Sequence, residues 1–129
     1  MSQPNFLTDY LDYSSGNEAP PQFHLWAGLL ALAAIVSRRV WLDFNYFTIQ
    51  PNLFVVFLTA PGNKKTTAMN LSKNLLRKLN SPDPNCIPFS ADSSSKEKLV
   101  KKMTAMERKF TLPTGEEITY APLNIFVTE

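Results

Sequence analysis

Six apolar residues in a row, Leu53-Phe54-Val55-Val56-Phe57-Leu58, run straight into Thr59-Ala60-Pro61-Gly62-Asn63-Lys64-Lys65-Thr66-Thr67. An apolar run with no polar relief is the pattern of a strand buried on both faces, as in a parallel sheet covered by helices on either side. Beyond the loop, Ala68, Leu71, Leu75 and Leu79 recur on one face of a predicted helix until Asn80-Ser81-Pro82 interrupts it. The local order is buried strand, tight loop, two lysines, two threonines, amphipathic helix.

The rest of the chain predicts how that unit is framed. Phe6, Leu7, Tyr10 and Leu11 predict a short amphipathic helix over Asn5 to Tyr13, broken by Ser14-Ser15-Gly16-Asn17. After Ala19-Pro20-Pro21, a second helix is predicted from Gln22 to Ser37; its stretch Trp26 to Val36 is apolar on nearly every face and reads as buried. Arg38 and Arg39 follow at its C-terminal end, where cations complement the helix dipole. Val40 to Ile49 reads as a β-hairpin or two short strands. Downstream, Cys86 to Phe89 is a candidate short strand. Ser94-Ser95-Lys96-Glu97 fits a capping box, and Leu99, Met103, Met106 and Phe110 are spaced for one buried helix face. Pro113-Thr114-Gly115-Glu116 predicts a turn between two short strands, and Leu123 to Val127 a further apolar strand.

Composition bounds the setting. With 44% hydrophobic and 19% charged residues among 129, the chain is expected to fold around a core of about one domain's size. The single cysteine, Cys86, excludes an internal disulfide framework and suits a reducing compartment. No basic cluster precedes an apolar run at the N-terminus, so no signal peptide is read, and Trp26 to Val36 is shorter than the roughly 20 residues of a membrane span. A cytoplasmic, membrane-free location is the expectation. The net charge of +2 conceals an asymmetry: Ala60 to Phe110 holds eleven Lys/Arg against four Asp/Glu. That surplus suits an anionic partner, phosphate or nucleic acid, although solvated helix faces account for lysines too.

The loop matches the logic of phosphate binding. Loop amides and a helix N-terminus point at the phosphates, a lysine reaches the β/γ oxygens, and a hydroxyl holds magnesium. The pattern G-x-x-x-x-G-K-S/T lays onto Thr59 through Thr66, placing Lys65 at the lysine position and Thr66 at the magnesium-ligand position. Pro61, Gly62, Asn63, Lys64, Lys65, Thr66 and Thr67 are the candidate nucleotide-binding residues. Two positions depart from the pattern: Thr59 replaces the first glycine and Lys64 the glycine before the lysine. Lys64 must either strain the backbone or reshape the loop. The alternative is an ordinary strand-turn-helix connection carrying surface lysines.

Glu129, closing the predicted strand Leu123 to Val127, is the candidate catalytic carboxylate, with Thr128 beside it; a solvated residue at a strand end is the competing reading. His24 reads as a packing residue and Cys86 as a small buried hydrophobe. Trp26, Trp41, Phe44, Tyr46 and Phe47 are assigned to the core, with an exposed subset able to stack on bases. Lys96, Lys98, Lys101 and Lys102 could follow a nucleic-acid backbone or line a solvated helix face.

Gly16-Asn17-Glu18-Ala19-Pro20, Phe23-His24-Leu25-Trp26, Arg38-Arg39-Val40-Trp41 and Pro51-Asn52-Leu53-Phe54-Val55-Val56, leading into the loop, together resemble the N-terminal part of phage- and prophage-encoded P-loop ATPases linked to DNA replication, of the helicase-like or primase-associated type. The resemblance runs from about Leu7 to Glu129. It implies an α/β fold with a RecA- or AAA+-like P-loop NTPase core. Residues 1–50 would supply the helical lead-in and β-hairpin, and residues 51–129 the first, incomplete part of the core. It further implies ATP and Mg²⁺ as cofactors, with Lys65 and Thr66 at the nucleotide and Glu129 ending the second core strand. DNA, single-stranded or at a replication fork, would be the partner of a homo-oligomeric full-length protein in the host cytoplasm. Two alternatives stand beside it: a non-catalytic nucleic-acid-binding or assembly module with a degenerate loop, and a DNA-packaging-type ATPase.

Overall fold

The computed structural model describes residues 4–80, 87, 95–111 and 115–125, without the side chains of Arg38 and Phe110. They fall into two compact units, Met1–Leu79 and Asn80–Glu129. The predicted lead-in and the loop Thr59 to Thr67 thus share the first unit, although the sequence reading divides the chain at residues 50 and 51.

The first unit is built on three helices. Helix α1 (Phe6–Ser14) starts where the Asn5 side chain accepts a hydrogen bond from the Leu7 N–H at 3.1 Å, covering one of the amides a helix start leaves unpaired. At its end the Asn17 backbone N–H and side-chain amide both donate to the Ser14 carbonyl, at 3.0 and 3.2 Å. Helix α2 (Pro21–Val36) begins with proline in the first turn, where a missing N–H is harmless, and stops at Ser37, whose φ is 49°. A single 3₁₀ turn, Ser37–Arg39, follows. Helix α3 (Lys65–Leu79) packs on α2, as does α1.

Small residues let these helices approach closely. Along α2 the buried positions are His24, Ala27, Gly28, Ala31 and Ala34. A Cβ on Gly28 would lie 2.8 Å from the Tyr10 ring of α1, so only glycine fits that crossing. On the other side, the Ser72 hydroxyl of α3 donates to the Ala27 carbonyl at 2.9 Å in a buried site. With that bond the buried positions of α3 are Ala68, Ser72, Lys73 and Leu76, and not the predicted Ala68, Leu71, Leu75, Leu79 line; Leu79 is half exposed. Trp26 and Leu32 also remain exposed, so α2 is covered on part of its circumference only.

Between α2 and α3 lies the predicted hairpin, with β1 (Leu42–Asp43) antiparallel to β2 (Thr48–Ile49) and Leu42 opposite Ile49. The following run Leu53–Leu58 corrects the strand expectation. It pairs with no strand among the described residues, so it is not part of a sheet there. Its burial still alternates residue by residue from Phe54 to Ala60. Val55, Phe57 and Thr59 are partly covered, and Phe57 stacks on Phe23 of α2 with ring centroids 4.9 Å apart. Phe54, Val56 and Leu58 face outward, Phe54 with 92% and Leu58 with 85% of its surface exposed. The segment keeps the two-faced habit of a strand, and its covered face meets α2 through Phe57.

In the second unit, Asn80 clamps Ile87: its Oδ1 accepts from the Ile87 N–H at 2.8 Å and its Nδ2 donates to the Ile87 carbonyl. Helix α4 (Lys96–Ala105) is capped by Ser95, whose hydroxyl accepts from the Lys98 N–H at 3.4 Å. The cap is therefore one residue later than a box starting at Ser94 requires; Ser94 lies outside the described residues. No residue of α4 is fully buried, and the helix stops at Ala105, so Phe110 belongs to strand β3 (Arg108–Thr111) and not to a helix face. β3 pairs antiparallel with β4 (Glu117–Tyr120), as the turn signal at residues 113–116 predicts, with Gly115 at φ 88°. Asn124 makes an isolated bridge where the last strand is expected. The candidate strand at Cys86–Phe89 lies outside the described residues except for Ile87.

Candidate functional site

The loop that precedes α3 has an ordered backbone logic. Gly62 has a φ of 96° and Lys64 a φ of 51°, while Asn63 between them and Lys65 after them have negative values. The sign of φ thus alternates over four consecutive residues. Alternating φ signs are one requirement of the backbone concavities in which successive N–H groups gather around an anion. Gly62 needs its glycine for conformation alone, because a Cβ there would meet nothing within 4 Å. Lys64, standing where the pattern asks for glycine, adopts the left-handed value all the same. Of the two outcomes open to it, the backbone takes the strained one.

Two hydrogen bonds brace this shape. The Asn63 side-chain amide donates to the Thr59 hydroxyl, so the residue that replaces the first glycine ties the beginning of the loop to its middle. The Thr67 N–H donates to the Lys64 carbonyl at 2.9 Å, closing the first turn of α3. Lys65, Thr66 and Thr67 occupy that turn, each partly buried, while Pro61, Gly62, Asn63 and Lys64 are exposed.

Charge placement runs against the helix dipole. A helix N-terminus carries partial positive charge and favours carboxylates. The first turn of α3 contains no acidic residue, and Lys64 and Lys65 stand at it; Arg77 and Lys78 sit properly in the last turn. The Lys64 ammonium is instead 3.2 Å from the carboxylate of Glu18, in the connection between α1 and α2. Sequence reading misses this partner, since nothing local links Glu18 to the loop. Thr59 is the second residue it undervalues, as a departure from pattern that in the fold supports the loop.

The other predicted site residues fare differently. Glu129 and Thr128 lie outside the described residues, as does Cys86. His24 is buried, with 2% of its surface exposed, and burial holds its pKa below 6.5. The aromatic core assignment is corrected: Trp26, Trp41, Phe44, Tyr46 and Phe47 are all exposed, Tyr46 to 97%. In the hairpin, Phe44 and Phe47 stack at 5.3 Å, and the tight turn through Asn45, with φ 59°, projects Tyr46 outward. Two-residue strands have no second layer to cover them, which is why these rings stay in solvent.

Among the described residues, no group of three His, Cys, Asp or Glu side chains could hold a metal ion by itself. A hydroxyl such as that of Thr66 suits Mg²⁺ only together with ligand oxygens and water, which is how this ion commonly binds. No described helix is long and apolar enough to cross a membrane. Comparison of the chain with protein families, with curated proteins and with solved structures gave no match.

Proposed function

We propose that this chain is the ATP-binding front part of a P-loop NTPase of the phage-type, helicase-like replication class, which hydrolyses ATP to act on DNA. The observation that carries the reading is the loop from Gly62 to Lys65, with alternating φ, at the start of a helix whose first turn holds Lys65 and no carboxylate and which Lys64 directly precedes. A polyphosphate would complement both the helix N-terminus and the lysines beside it. The loop amides and the Lys65 ammonium would hold the phosphates, and the Thr66 hydroxyl would help hold Mg²⁺, whose charge would offset that developing on the transferred phosphoryl group. Glu129 is the carboxylate proposed to orient the attacking water.

The test is equilibrium binding of ATP with Mg²⁺ to the purified chain. Lys65→Ala is expected to weaken it at least tenfold, and Thr66→Ala to remove the part that depends on magnesium. Equal affinity for ATP in wild type and Lys65→Ala would reject the reading.

A second reading, a nucleic-acid-binding module without hydrolysis, is favoured by the strained Lys64 and by α4, where Lys96, Lys98 and Lys101 are exposed and nothing is fully buried. It predicts DNA binding that falls steeply with salt and ignores ATP.

A further inference from the structure

We infer that Glu18 is a built-in counter-ion of the phosphate loop, competing with an incoming polyphosphate for the Lys64 ammonium. The inference rests on the nucleotide-binding reading and deepens it by assigning what sets the affinity of that site. Glu18 is held in place by its neighbours. Asn17 is bonded twice to the Ser14 carbonyl, at 3.0 and 3.2 Å, and Ala19 is buried, so the carboxylate between them projects from a fixed connection. Its Oε2 lies 3.2 Å from the Lys64 ammonium.

Lys64 is fixed at one end and free to exchange at the other. Its backbone is set by the left-handed φ of 51° and by the bond from the Thr67 N–H, while its side chain is exposed on a long flexible stem. A polyphosphate reaching the loop amides carries more negative charge than one carboxylate and takes the ammonium over; Glu18 then loses its partner. Removing the carboxylate relieves the competition for Lys64 and leaves the loop's own backbone in place. Both side chains are exposed, so the pair is an exchangeable latch and contributes little to folding.

The experiment measures binding of ATP and of inorganic triphosphate, in low and high salt, to the wild-type chain and to Glu18→Gln, Lys64→Ala, the double variant and Lys65→Ala. Glu18→Gln is expected to tighten both ligands by up to about fivefold in low salt, the range of an exposed ion pair. The gain should shrink as salt rises and vanish in the Lys64→Ala background. Unchanged or weaker binding in Glu18→Gln overturns the inference, and so does an equal gain without Lys64. Binding that needs Lys65 but ignores Glu18 overturns this inference alone. Failure of the wild-type chain to bind either ligand overturns it together with the nucleotide-binding reading.

Discussion

Lys64 shows how one residue can be wrong for its backbone and right for its surroundings. A side chain at left-handed φ costs about 1 kcal/mol relative to glycine, and the exposed Glu18 pair returns only a fraction of that. Lys64→Gly is therefore expected to stabilise the fold by up to about 1 kcal/mol, read from the urea midpoint at constant m. His24 offers a second test. It is buried in α2 with neither ring nitrogen hydrogen-bonded, and desolvation lowers its pKa from 6.5. The unfolded chain then takes up a proton that the folded chain resists, so this histidine's contribution is intact above pH 6.5 and stability falls as pH drops below it. His24→Leu should flatten that acid limb in a stability-pH profile. At the other end, burial raises the Tyr10 pKa from 10.0 to about 12, against a smaller opposing effect of Ser72. Stability should fall as pH rises from 10 toward 12, and Tyr10→Phe should remove the decline.

Helix α2 is the element on which the first unit depends, since α1 and α3 both pack against it. Gly28→Ala places a methyl 2.8 Å from the Tyr10 ring and is expected to cost about 1–3 kcal/mol. Leu76→Ala, at a fully buried position of α3, should cost about 2–5 kcal/mol; both are measurable by chemical denaturation. The elements readable in the sequence are those whose instructions are local: the helix that α1 forms, the Pro20-Pro21 entry to α2, the residue types of the hairpin, the start of α3 after its loop and the Gly115 turn. What is not readable depends on distant partners. The rotation of α3 follows from the Ser72 bond to Ala27, and helical spacing alone cannot tell which apolar stripe a neighbour will choose. Apolar spacing also carries the predicted α4 through Met106 to Phe110, past Ala105, because periodicity does not register the pairing of Phe110 with Ile118. The hairpin aromatics read as core because ring chemistry indicates affinity for burial without supplying a covering layer.

For the molecule as a whole, the informative conflict is between the two faces of residues 53–58. Sequence pattern asks for cover on both, and the structure covers one. Phe54→Lys separates the two situations: with the side chain in solvent the change should cost under about 0.5 kcal/mol, whereas a ring buried in a sheet would cost several. The loop residues Pro61 to Thr67 all lie within the first unit, together with Glu18. Their arrangement is thus tied to α2, and the nucleotide-binding proposal can be tested there by Lys65 and Thr66 variants independently of Glu129.

The Ser72 bond to Ala27 also gives the chain an optical reporter. Ala27 is next to Trp26, whose indole is partly exposed, and Ser72 belongs to the helix that begins at Lys65. Any displacement of α3 that follows anion capture at its first turn pulls on the backbone beside that fluorophore. Of the two tryptophans, Trp41 can be silenced as Trp41→Phe. The remaining emission of Trp26 should then shift on titration with ATP and Mg²⁺, and Ser72→Ala should uncouple the signal from binding.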